Sequence, residues 1–125
     1  MAVEIVHLNR DTLRLEYGAD IQRLMPWAPL NAPFEGAWAV VRAGTRSTLH
    51  SHHEYEMFVA VHGDAVVECD DEQSSFSNGD VALFRPGQLH RVLNDGTADF
   101  EFYSVWWDEG MAERFISNNR QGALA

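Results

Sequence analysis

From residue 37 onward the chain alternates short apolar runs with turn-forming residues, and this rhythm limits its fold more than any other feature. The runs are "AWAVVRA", "YEMFVAV", "DAVVECD", "DVALF", "HRVL" and "DFEFYSVWW". They are rich in β-branched and aromatic side chains, which suit a pleated, half-buried surface. Between them stand Gly44, His62-Gly63-Asp64, Ser77-Asn78-Gly79, Pro86-Gly87 and Asn94-Asp95-Gly96, residue types that supply the backbone angles of tight turns. Strands at this spacing predict an all-β sandwich or barrel. Helical periodicity is confined to "MAERFISN", residues 111 to 118, with Met111, Phe115 and Ile116 on one side. Residues 26 to 36 hold three of the four prolines and read as an irregular lead-in, while 11 to 25 fit either a strand or a short helix.

A length of 125 residues predicts a single domain, 1-125, with the barrel core at about 37-107. Hydrophobic residues make up 46% of the chain, enough for a core of its own. The formal net charge is -10 and all nine cations are arginine. No basic patch is available to neutralise phosphates, so nucleic-acid binding is excluded, and without lysine there is no Schiff-base chemistry. The single cysteine, Cys69, excludes an internal disulfide; alternating with Val67, it reads as a small core residue and not a nucleophile. The charged N-terminus does not fit a signal peptide and no apolar run reaches membrane-spanning length, so a cytoplasmic setting without membrane contact is expected.

Against that frame the stretch "LHSHHEYEMFVAVHG" stands out. On a strand, His50 and His52 project to the same side, and Glu56 returns to it after a short turn. His53 and Glu54 fall on the opposite side and are expected to face solvent, as is His62 at a hairpin. His7 precedes the barrel and receives no role. The next histidine, His90, follows "RPGQ" at the start of another strand. Imidazole and carboxylate are ligands that zinc, iron, manganese and nickel accept.

The spacing resembles that of the cupin superfamily. Its first motif, glycine, five residues, H-x-H, three or four residues, glutamate, six residues, glycine, is matched by Gly44, His50, His52, Glu56 and Gly63. Its second, glycine, five residues, P-x-G, two residues, histidine, three residues, asparagine, is matched by Gly79, Gly87, His90 and Asn94, with Arg85 at the proline position and Pro86 one place late. The resemblance implies a double-stranded β-helix, or jelly-roll barrel, in which His50, His52, Glu56 and His90 bind one divalent metal ion, zinc or iron first, manganese or nickel next. A weaker resemblance, carried by "HHEYEMFVAVHG", "FRPGQLHRVLN" and "FYSVWWDEGMAERF", is to the cupin component of cupin and methionyl-tRNA-synthetase-like pairs that form nitrogen-nitrogen bonds. It implies a zinc-assisted rearrangement of an ester into a hydrazine and a synthetase-like protein partner.

Alternation also sorts the pocket. In "DFEFYSVWW" Phe100, Phe102, Ser104 and Trp106 share one face, and Glu101 marks the other, with Tyr103, Val105 and Trp107, as outward. That apolar outer stripe predicts a homodimer. Trp38, Val40 and Arg42 share a face; if it is inward, Arg42 clamps a substrate carboxylate, and if not, it is a rim arginine paired with an acid. Arg42, Trp38, Phe58 and Trp106 are the expected substrate contacts. With no other nucleophile or base in view, Glu56 is the expected proton acceptor. The chain therefore reads as a metal-dependent small-molecule enzyme, with an iron-dependent dioxygenase or a non-catalytic ligand sensor as alternatives.

Overall fold

A computed structural model describes residues 3–30 and 32–124, with side chains to Ser117. Ten strands form two antiparallel sheets. They are β1 (Arg14–Glu16), β2 (Ala19–Arg23), β3 (Glu35–Val41), β4 (Thr45–Arg46), β5 (Tyr55–His62), β6 (Asp64–Cys69), β7 (Glu72–Ser77), β8 (Val81–Phe84), β9 (His90–Asn94) and β10 (Phe100–Trp107). One sheet has the order β1-β2-β3-β10-β5-β8, the other β4-β9-β6-β7. This is the jelly-roll barrel expected. A helix, α1 (Glu109–Leu124), follows the last strand and is longer than the expected 111 to 118. Asp108 caps it by accepting the Met111 N–H at 2.7 Å. No helix among the described residues is long and apolar enough to cross a membrane.

The segment 11 to 25, open between strand and helix in the sequence, is mostly the β1–β2 hairpin. Its turn is Tyr17-Gly18, with φ of 51° and 74°, so both residues take the left-handed conformation that a two-residue turn needs to match strand twist. The hairpin is tied inward where Thr48 N–H donates to the Tyr17 carbonyl at 2.7 Å.

Between the sheets lies a core led by Phe58, Phe76, Phe84, Phe100 and Phe102 with Val41, Val67 and Val92. Phe58 touches Phe102 and Phe84, with ring centroids 4.3 and 4.8 Å apart. Each such buried ring stabilises the fold by roughly 1.5–3 kcal/mol through area removed from water. Cys69 packs against this core, as expected for a small hydrophobe, and burial raises its thiol pKa.

The outer face of β10 differs from expectation. Glu101 shares it with Tyr103 but is only 8% exposed, because Arg10 from the N-terminal segment reaches over and pairs with its carboxylate. The N-terminal segment is held there by Gln22, whose carboxamide accepts the Asn9 N–H at 2.7 Å and donates to the His7 carbonyl at 2.8 Å. Part of the outer face is thus covered by the chain itself. Tyr103, Val105 and Trp107 are half-buried within one chain, and Trp107 stacks on Tyr55 with centroids 5.8 Å apart.

Two motif positions act on the backbone alone. Pro86 and Gly87 occupy the centre of a turn closed by Gln88 N–H to the Arg85 carbonyl at 3.2 Å, with Gly87 at φ 82°, the signature of a type II turn. Displacement of the proline by one place therefore leaves a sound turn, and Gly87 N–H donates to the His52 carbonyl at 2.9 Å. Asn94, fully buried, donates to the carbonyls of Val41 and Ala98 at 2.9 Å each and accepts the Gly96 N–H at 3.1 Å. Removing that side chain strands the buried Val41 carbonyl and releases the Ala98 carbonyl and Gly96 N–H that shape the exposed turn. We expect Asn94→Ala to lower unfolding free energy by about 2–4 kcal/mol in urea titration. A loss below about 0.5 kcal/mol would contradict this role for the side chain.

Candidate metal centre

His50 and His90 exchange backbone hydrogen bonds, His90 N–H to the His50 carbonyl at 3.0 Å and His50 N–H to the His90 carbonyl at 3.3 Å. This single bridge sets the two imidazoles side by side, with centroids 4.6 Å apart. His52 lies in the loop beyond, and Glu56 enters from β5. The expected strand through His50 and His52 is therefore replaced by one bridge and a loop; the side chains still converge. One ligand atom from each of His50, His52, Glu56 and His90 lies within 4.8 Å of all the others.

The rings are oriented by backbone carbonyls. Nδ1 of His50 stands 2.8 Å from Thr48 O, Nδ1 of His52 3.1 Å from Glu54 O, and Nδ1 of His90 2.9 Å from Gln88 O. A carbonyl only accepts, so each Nδ1 carries the proton and each Nε2 turns its lone pair inward. Nε2 of His52 and of His90 then meet the same Glu56 Oε1 at 3.0 and 2.9 Å. Lone pairs on three atoms facing one another repel unless a positive guest sits among them. A proton on one ring or a divalent ion meets that need, and four converging nitrogen and oxygen donors suit the ion.

Burial would raise the Glu56 pKa, but positive charge or a proton on the His90 and His52 side and the bond from the Ser104 hydroxyl together outweigh it and hold the group below its ordinary value, as a carboxylate. Burial also lowers His50, which keeps it neutral and able to ligate. His90 is 1% exposed and lies flat against Phe84, with centroids 4.4 Å apart.

A cavity of about 340 Å³ opens beside these donors. Cross-strand register explains it. Glu35, Trp106 and Glu56 form one row over β3, β10 and β5; Ala37, Ser104 and Phe58 form the next; Ala39, Phe102 and Ala60 form a third. Where β5 and β10 carry rings, β3 carries alanines, and Ala19 of β2 also lines the space. The void is the volume those small side chains leave.

The family model described as "Cupin domain" matches residues 37–106. The chain is a cupin. A crystal structure of a cupin 2 conserved barrel domain protein from Salinispora arenicola is 45% identical over 94% of this chain and 99% of its own, with a TM-score of 0.87. The plu4264 protein of Photorhabdus luminescens is 37% identical over 95% and 99%, with a TM-score of 0.86. A predicted oxalate decarboxylase from Thermotoga maritima, 23% identical over 71% and 79% with a TM-score of 0.65, shares the fold. No curated protein matches the chain.

In this cupin Phe58 and Trp106 line the cavity as expected. Trp38 and Arg42 do not, and their expected substrate contacts are corrected. Trp38 packs edge-on against Tyr103 on the opposite face of the sheet. Arg42 is fully engaged at the rim, with Nε 2.6 Å from Asp20 and Nη1 3.0 Å from Asp99. Glu54, expected in solvent, is half-buried in the cavity wall. His53, with 76% of its side chain exposed, turns toward Asp108, and His62 is exposed at the end of β5. Sequence reasoning missed Tyr17, which stacks on His50 at 4.8 Å, and Arg23, Glu16 and Glu35 at the mouth. Their signal was the hairpin turn and the alanine alternation of β3.

Replacing His50, His52, Glu56 or His90 by alanine should each lower bound metal steeply, while His53→Ala and His62→Ala stay near wild type in plasma mass spectrometry. Full occupancy in His90→Ala would sink the four-donor site. Ser104→Ala, which frees the Glu56 carboxylate to rotate, should weaken metal affinity by about 10- to 100-fold in chelator competition.

Proposed function

We propose that this cupin is a metal-dependent enzyme acting on a small molecule held in the barrel cavity. The observation that carries the reading is the convergence of four carbonyl- and hydroxyl-oriented donors on the wall of a half-open cavity with both apolar and charged lining. The residues that would hold the ion are His50, His52, Glu56 and His90. Bound there, zinc, iron, manganese or nickel would supply Lewis-acid polarisation or, if redox-active, oxygen chemistry.

The chain's own contribution is positional. Phe58, Phe102 and Trp106 exclude water and give the cavity its shape. Ser104 donates its hydroxyl to Glu56 Oε2 and keeps Oε1 toward the two imidazoles. Glu56 is also the carboxylate best placed to take a proton from a substrate bound beside it. The zinc-dependent nitrogen-nitrogen bond formation implied by the weaker resemblance keeps its ligand set in this reading, but not Arg42 as its carboxylate contact.

The test has two parts. Plasma mass spectrometry of protein purified without added metal should give about one ion per chain, and its identity separates the zinc from the iron reading. Incubation of the loaded protein with a metabolite extract should then deplete a small molecule that His52→Ala leaves untouched. A compound retained by the protein through gel filtration and never consumed would instead make this a ligand sensor. If a substrate is found, Glu56→Gln should lose more turnover than metal, since the amide oxygen still coordinates weakly but cannot take a proton. Parallel loss of both would reduce Glu56 to a ligand.

A further inference from the structure

We propose that the cavity selects a substrate with a cationic nitrogen at the end away from the metal, and rejects one whose tail is anionic; this rests on the metal-site reading above. The wall carries four carboxylates, Glu16, Glu35, Glu54 and Glu56, against one guanidinium, Arg23. Each has to be assigned a partner. Arg23 is taken by Glu16, with Nη2 2.8 Å and Nε 3.2 Å from Oε1 and Nε 3.3 Å from Oε2. A fork engaged on both nitrogens is not free to receive a substrate carboxylate without stranding Glu16. Glu56 belongs to the metal centre. Glu35 and Glu54 remain.

Glu35 feels Arg23 through space, yet among the described residues its side chain makes no hydrogen bond or ion pair. The Glu54 carboxylate has imidazoles for neighbours, Nδ1 of His52 at 3.6 Å and Nδ1 of His53 at 3.4 Å, and no arginine. Even with a divalent ion in place the wall keeps an excess of negative charge. Half-buried carboxylates in a cavity act on a guest through a medium less polar than water, so charge on the guest is read strongly.

Position gives the length of that guest. Glu35 and Glu56 occupy the same cross-strand row, one strand to either side of Trp106. Neighbouring strands lie about 4.8 Å apart, so the two carboxylates start about 10 Å from each other across the indole. A molecule that meets the metal with an oxygen-bearing head and carries its ammonium or guanidinium several bonds away spans that gap, with its carbon chain beside Trp106, whose ring also carries the Arg23 guanidinium 5.7 Å from its centroid. A short dicarboxylate places its second charge against Glu35 and is repelled.

Calorimetric titration of the metal-loaded protein with three hydroxamates tests this, since they share one metal-gripping head and differ in the tail. Butyrohydroxamate is neutral, γ-aminobutyrohydroxamate cationic, and succinate monohydroxamate anionic. The cationic tail should bind about tenfold tighter than the neutral one and the anionic tail about tenfold weaker. Glu35→Gln should shrink both differences, and Glu35→Asp, which keeps the charge, should retain them. Equal affinity for all three tails in the wild type, or tighter binding of succinate monohydroxamate, overturns the charge selection. Failure of butyrohydroxamate to bind at all overturns the metal reading beneath it.

Discussion

A carboxylate buried inside an apolar barrel is the constraint to which the rest of the site answers. An isolated buried charge costs several kcal/mol, so Glu56 is tolerable only with partners on every side. Ser104 serves Oε2, and His52 and His90 face Oε1. Those rings are useful only because their outer nitrogens are fixed by the carbonyls of Glu54 and Gln88. The carbonyls are fixed in turn by the backbone around them: Gly87 holds the His52 loop, and the His50–His90 bridge joins the two ligand segments. The chain of dependence runs from a turn, through a peptide group, to an imidazole, to the charge.

The same barrel that packs tightly at one end is hollow at the other, and a single alternation accounts for both. Along β10 the inward side chains run Phe100, Phe102, Ser104, Trp106, and their partners on β3 run Val41, Ala39, Ala37, Glu35. Large meets large at the closed end. Toward the mouth, small side chains on β3 leave room and then give way to charge. The β1–β2 hairpin borders that opening and does a second service, stacking Tyr17 on His50 and anchoring Thr48, whose carbonyl orients that histidine. A region that reads as either strand or helix is part of the support for a histidine of the site.

How much of this could be read from residues alone follows from what each signal reports. Strand runs and glycine turns located β3, β5, β6, β8, β9 and β10, and motif spacing located the four donors. Strand β7, "EQSSFS", escaped because it is a polar edge strand whose only buried side chain is Phe76. The first hairpin stayed ambiguous because its turn puts a tyrosine in the left-handed region, a conformation that glycine or asparagine usually signals. Alternation correctly divided the faces of β10 and β3, but it cannot say what covers a face. Glu101 marked an outward face and is nonetheless buried, since Arg10, ninety-one positions away in sequence, lies across it. Arg42 was left equally open to substrate or to an acid; Asp20 and Asp99 decide it.

These misses share a cause that bears on function. Motif positions are short-range, so spacing captures ligands and turns, whereas the charge of the cavity mouth is assembled from β1, β2, β3 and the His52 loop, which are distant in the chain. Arg42 was the arginine that alternation brought forward, and an arginine clamp pointed to an acidic substrate. The arginine that reaches the cavity is Arg23, and Glu16 already holds it. Exchanging one arginine for the other therefore reverses the sign of the lining, from a receptor for anions to one with more carboxylates than arginines. Short-range spacing set the four converging donors; the long-range pairings of its arginines set the charge of the cavity beside them.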